Sequence, residues 1–250
     1  MSSAVYEFPL NEKVRNYLRI EQLLQQCAGN AEVHHNSANI HFFEDLFTLL
    51  ELFERLDVRS DILKDFDAQE RNLVHWSQHP KINSDALQQT LQTIIRMREA
   101  VKNTKRIGSE LKEDPFIASI RQRFAIPGGS CSFDLPNLYF WSNQADEKQH
   151  NDKQQWLSSF QVIASALELT LSFLRQRGQF QAVTATNGFF PGLSDDRGEL
   201  IRIRLDVNTG CYPTLSGNKY RYALRFMHFG QGDTASRPVE DDLNFEIASC

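Results

Sequence analysis

The hydrophobic period of this chain changes once along its length, and that change constrains the fold more than any other feature. Up to about residue 178, apolar side chains recur every three or four positions; from residue 200 they recur every second one. The first repeat gives a helix one apolar stripe and the second gives a strand one apolar face. Helices first and strands last make an α+β layout. The expected architecture is an N-terminal and central helical bundle with a small C-terminal antiparallel sheet. Residues 1–178 form the mainly helical domain, and 179–250 form a mainly β-strand domain packed on the helices. At 250 residues with 18 Phe and 3 Met, the chain can fill a large core with rigid rings.

The apolar positions Leu10, Val14, Tyr17, Leu18, Ile20, Leu23, Leu24 and Cys27 predict a first helix that Gly29-Asn30 stops. A second fits Asn36–Arg55, on a stripe of Ile40, Phe43, Leu46, Phe47, Leu50 and Phe53. A third starts near Arg59 and ends before Pro80; a fourth is capped by Asn83 or Ser84. A shorter helix spans Asp114–Phe124, with Pro115 suited to its first turn. The polar run Ser142–Gln155 reads as a solvated loop or the approach to a helix, and Trp156–Arg177 as one long helix closed by Gly178. Leu200–Asp206, Tyr220–Phe229 and Leu243–Ile247 alternate as strands. Phe180–Phe190, with the turn pair Asn187-Gly188, is a further strand candidate.

Several function classes fall away on composition. A net charge of −5 argues against broad nucleic-acid binding, which needs a basic surplus to displace counterions. No apolar run is long enough for a membrane span, and the N-terminus carries no basic stretch followed by an apolar one. The scattered cysteines Cys27, Cys131, Cys211 and Cys250 fit reduced thiols of a cytoplasmic protein. No phosphate-binding loop, dinucleotide fingerprint, G-x-S-x-G or H-E-x-x-H occurs. Gly128-Gly129-Ser130-Cys131 could place a nucleophile on a turn, but the sequence names no base for it. His75 and His79 have chelating spacing without a further ligand pair; they and His34, His35 and His41 read as surface or helix-end side chains. No catalytic residue, metal site or cofactor is expected.

The basic residues say more. Arg15 and Arg19 are four apart on the first helix and share a face. Arg121 and Arg123 precede the Pro-Gly-Gly turn. In the strand after Ser216-Gly217-Asn218, Lys219, Arg221, Ala223 and Arg225 point to one side, and Tyr220, Tyr222, Leu224 and Phe226 to the other. Burying the aromatic side presents two guanidinium groups across the small Ala223, a surface suited to a peptide carrying carboxylates and a few apolar side chains. Arg202 and Arg204 would join that face if their strand pairs alongside.

Phe8-Pro9-Leu10-Asn11-Glu12-Lys13, Leu18-Arg19-Ile20-Glu21 and Arg121-Gln122-Arg123 running into Ile126-Pro127-Gly128-Gly129 resemble the ZapD family. So do Cys131-Ser132-Phe133-Asp134-Leu135-Pro136, Tyr212-Pro213, Ser216-Gly217 and Arg225-Phe226-Met227. The similarity spans essentially the whole chain. It implies a helical and a β-strand domain, a symmetric homodimer in the bacterial cytoplasm at the mid-cell division site, and no reaction. It further implies binding to the C-terminal tail of the tubulin-like FtsZ and bundling of its filaments. Carried onto this chain, the family's basic surface draws on Arg15, Arg19, Arg121, Arg123, Lys219, Arg221 and Arg225, while Pro115 and Tyr139 stand where basic or histidine side chains are expected.

Overall fold

The computed structural model describes residues 3–33, 35–76, 84–104, 106–193, 198–218, 220–230 and 235–250. Backbone contacts divide the chain into two compact units: Met1–Leu18 with Leu171–Cys250, and Arg19–Thr170.

The unit Arg19–Thr170 is helical. It takes most of α1 (Glu12–Ala31), then α2 (Asn36–Arg55), α3 (Val58–Trp76), α4 (Ser84–Asn103), α5 (Ser109–Glu113), α6 (Pro115–Phe124), α7 (Pro136–Ser142), α8 (Asp146–Ser158) and the start of α9 (Gln161–Arg177). The caps explain the boundaries. Asn11 Oδ1 accepts from Val14 N at the start of α1, and His35 Nδ1 accepts from Ser37 N at the start of α2. Asp114 caps α6 from the preceding position, accepting from Phe116 N and Ile117 N at 2.9 Å, which leaves Pro115 in the first turn where its missing N–H costs nothing.

The core of this unit is built from rings. Phe43 lies 5.3–6.0 Å, centroid to centroid, from Phe42, Phe47, Phe116, Phe124, Trp141 and Trp156. A fully buried ring such as Phe43 contributes about 1.5–3 kcal/mol by burial, with about 0.5–1.5 kcal/mol more for well-oriented pairs. The indole N–H of Trp141 is satisfied by Asp152 Oδ2 at 3.0 Å.

Three expectations for the helices are corrected. Gly29-Asn30 does not stop α1, which continues to Ala31; one glycine costs about 1 kcal/mol relative to alanine, less than the neighbouring packing provides. The polar run after Ser142 is helical, because Trp141, Gln149, Lys153 and Trp156 are buried and hold it down. Trp156–Arg177 is not one helix: α8 and α9 meet at a 63° bend around Ser159–Phe160. Asn83, His34, His79 and Pro80 lie outside the described residues. Among those residues no single helix is long and apolar enough to cross a membrane.

The second unit is a β-sandwich with the first turns of α1 and the end of α9. One sheet has the order β1 (Ser3–Pro9), β4 (Leu200–Asp206), β8 (Leu243–Ser249), β2 (Gln181–Ala185). The other has the order β3 (Phe189–Leu193), β6 (Arg221–His228), β5 (Cys211–Gly217), with β7 (Arg237–Pro238) beside the end of β6. All pairings are antiparallel. A 3-10 turn, Val207–Thr209, links β4 to β5. The α+β class stands. The strand set is larger than expected, however, and β1 comes from the N-terminus.

Ile201, Ile203, Leu205 and Phe245 from the first sheet meet Tyr222, Leu224 and Phe226 from the second in one buried cluster. The chain passes between sheets at Asn187-Gly188, both with positive φ, of 50° and 65°. Gly188 also sits against Val239, where a Cβ would overlap the backbone, so the turn demands glycine on two counts.

Candidate functional site

The second sheet exposes the side opposite its core. Register puts Leu193 beside Arg221, Pro191 and Ser216 beside Ala223, and Phe189 and Thr214 beside Arg225. Directly paired residues project to the same face, so this surface carries two arginines, three apolar side chains of β3 and two hydroxyls. Leu193 is 84% exposed and Phe189 40%. The guanidinium of Arg225 stands 5.9 Å from the Phe189 ring centroid. Among the described residues neither Arg221 nor Arg225 has a carboxylate partner. Tyr222, Leu224 and Phe226 occupy the other side, fully within the core, which is why the arginines must face outward.

Lys219 lies outside the described residues. Arg202 and Arg204 do not join this face: they are on β4, in the other sheet. There Arg202 Nε bonds Glu7 Oε1 at 2.9 Å, and Glu7 also takes Arg175 at 2.7 Å. Arg204 pairs with Glu246 at 2.7 Å and stacks 3.9 Å from the Phe180 centroid. Equal alternation in two strands fixes which side is polar, not which sheet each strand enters.

In the same unit, Arg15 contributes to the wall of a pocket of about 280 Å³ with Phe8, Pro9, Leu10, Leu215 and Gly217. Its Nη1 donates to Glu12 Oε2 at 2.6 Å, an exposed pair. Nearby, Glu199 bonds Asn11 and pairs with Lys13 and Arg177 at 3.2 and 3.0 Å. Burial pushes the Glu199 carboxyl up, but these partners outweigh it and hold the group below the ordinary glutamate range. The sequence pattern missed this pocket because β1 and β5 were not recognised. The alternation of Ala4, Tyr6 and Phe8 was the available signal.

The remaining expected residues belong to the helical unit. Arg19 is exposed one turn beyond Arg15 on α1. Arg121 gives Nη1 and Nη2 to one oxygen of Glu54, both at 3.1 Å, and Lys112 reaches the same oxygen at 2.8 Å. Lys112 and Arg121 together hold the Glu54 carboxyl below its usual range. Arg123 pairs with Asp134 at 3.3 Å. Pro115 is exposed, and so are the aromatic side chains Phe133 (82%), Tyr139 and Phe140 around the Cys131–Pro136 segment. Cys131 is exposed, whereas Cys27, Cys211 and Cys250 are buried. His41 pairs with Glu44 at 3.0 Å on the surface of α2. No cluster of three His, Cys, Asp or Glu side chains able to hold a metal ion occurs among the described residues.

Two cationic sets therefore differ in kind. Arg121 and Arg123 are paired with internal carboxylates, whereas Arg221 and Arg225 have no carboxylate partner among the described residues and stand beside exposed apolar side chains.

Residues 18–225 match the family model of ZapD, described as a cell division protein. Over the full length of both chains, the sequence is 38% identical to the cell division protein ZapD of Shewanella sp. (strain MR-4). It is likewise 38% identical to that of Vibrio vulnificus (strain CMCP6) and 37% identical to that of Shewanella oneidensis, again over both full lengths.

Proposed function

This chain belongs to the ZapD family of cell division proteins, and from that membership we propose that it is a non-enzymatic division factor that binds the C-terminal tail of FtsZ. It acts as a homodimer in the cytoplasm, at the mid-cell division site. Each protomer holds one tail, so one dimer bridges two filaments and promotes assembly of the Z-ring. Single contacts can be weak, because filaments display many tails and effective concentration supplies the rest.

One observation carries the reading: Arg221 and Arg225 stand exposed, with no carboxylate partner among the described residues, in register with Leu193 and Phe189. Guanidinium groups take carboxylates bidentately, and the flanking apolar side chains supply the contact area that ionic pairing alone lacks at a surface. The resemblance adds Arg15, Arg19, Arg121 and Arg123 to the proposed tail-binding set; of these, Arg15 belongs to the same unit as the Arg221–Arg225 face.

The test is sedimentation at low speed, with electron microscopy, of polymerised FtsZ mixed with this protein. Bundles are expected with full-length FtsZ and none with FtsZ lacking its C-terminal tail, and bundling should weaken as salt rises. Equal bundling of both FtsZ forms would refute tail recognition.

A further inference from the structure

The outer edge of β5 has a hydrogen-bonding pattern that no other described strand uses. Phe226 donates its N–H to Gly188 O at 2.8 Å and accepts at its carbonyl from Val239 N at 2.9 Å. Both groups point away from β5, so Phe226 and its register partner Pro213 form a non-hydrogen-bonded pair. Alternation makes Leu215–Leu224 and Gly217–Tyr222 pairs of the same kind. The N–H and C=O groups of Leu215 and Gly217 therefore point outward, along an edge that pairs with no other strand among the described residues. Pro213 offers no N–H. Between it and the hairpin, the edge donors are those of Leu215 and Gly217.

These same two residues line the pocket that Phe8, Pro9, Leu10 and Arg15 complete. At about 280 Å³ it falls just below the roughly 300–1,000 Å³ typical of small-molecule sites and suits a single apolar side chain. Gly217, at φ 141°, lies against the backbone of Arg221 and Tyr222, where a Cβ would collide, so the β5–β6 hairpin needs glycine at this end of the edge. At the rim Arg15 spends one donor on Glu12 and keeps others, since a guanidinium has five.

An added strand would alternate between these features. Its residues project to opposite faces in turn, and neighbouring strands lie about 4.8 Å apart. A side chain on the inner face enters the pocket. Its neighbours fall on the outer face, two strand spacings from β6, within reach of Arg221 and Arg225.

Resting on the tail-binding reading above, we infer that the acidic tail docks in extended form as an added strand on the Leu215–Gly217 edge of β5. One apolar side chain fills the pocket, and the flanking carboxylates lie on the arginine face. This is strand addition: backbone pairing gives affinity, and the alternation of apolar and acidic side chains gives register and specificity.

The experiment is an N-methyl scan of a synthetic FtsZ C-terminal tail peptide, with binding to the full-length protein followed by fluorescence anisotropy. Methylation at amides facing β5 should weaken binding about tenfold each, and methylation at the intervening amides should change it little, giving a period of two. Leu215→Pro removes an edge donor that the protein's own ladder does not use, and it should cost about tenfold in peptide affinity with the far-UV spectrum unchanged. If that variant misfolds, the scan on the wild-type protein decides. A flat scan with a tightly bound parent peptide overturns strand addition and leaves tail binding standing. Failure of the parent peptide to bind overturns both.

Discussion

Reversing both exposed arginines of β6, in Arg221→Glu/Arg225→Glu, isolates the ionic part of the proposed contact. Neither residue serves an internal carboxylate among the described residues, and both side chains are exposed, so the fold should lose no more than about 0.5 kcal/mol. At the partner, an exposed ion pair contributes about 0.2–1 kcal/mol. Reversal replaces an attraction of about 0.5 kcal/mol with a repulsion of similar size, or about 1 kcal/mol per residue. Four strand positions separate the two, about 13 Å, so their effects should add. The tail peptide should then bind about thirty-fold more weakly. The proposed bridging dimer would use two such sites, so the effects multiply, and half-maximal bundling should require about a thousand-fold more protein. Peptide anisotropy and low-speed sedimentation, run on one preparation of verified dimer, give both factors. If bundling shifts only by the factor seen for the peptide, the two sites do not act as a pair. If neither measurement moves, the arginines are outside the contact.

Arg121→Glu should behave differently, since it breaks the pair with Glu54 and sets two carboxylates together. A loss of about 1 kcal/mol, seen as a fall of about 2–4 °C in melting temperature, is expected before any effect on bundling. Glu54→Gln tests the same network by pH. The folded-state pKa of Glu54 is depressed, so its stabilisation is present above the ordinary glutamate value and is lost as pH falls through the depressed one. The substitution should lower the melting temperature at neutral pH and narrow the gap to wild type in acid. Phe43→Ala, at the centre of six rings, should cost about 3–5 kcal/mol in chemical denaturation. Cys131→Ala should leave FtsZ bundling unchanged, because its exposed thiol plays no part in the proposed contact.

Long periodic segments were legible from the sequence: Asn36–Arg55 and Leu200–Asp206 run to the expected residues. What escaped was decided by tertiary contacts. The helix α8 has few apolar residues, and its place depends on burying Lys153, 1% exposed, with Nζ donating to Asn30 O and Val33 O at 3.3 and 3.4 Å. Periodicity sees such a lysine as solvated. The strand β5 contains Pro213 and ends in Gly217, both strand breakers in isolation, yet an edge position tolerates them. The outward set of Arg221 and Arg225 followed from alternation alone. The assignment of Arg202 and Arg204 to the other sheet did not, because local pattern carries no information on which strands become neighbours.

The distribution of sulfur has a practical corollary. Three of the four thiols are sealed in the interior, and burial pushes that of Cys27 well above the usual range, whereas Cys131 is open to reagent on the helical unit. Maleimide dyes should therefore mark one defined spot per chain of the unaltered protein. Donor- and acceptor-tagged batches, once mixed, would test the proposed homodimer by energy transfer between exchanged subunits, without a single engineered substitution.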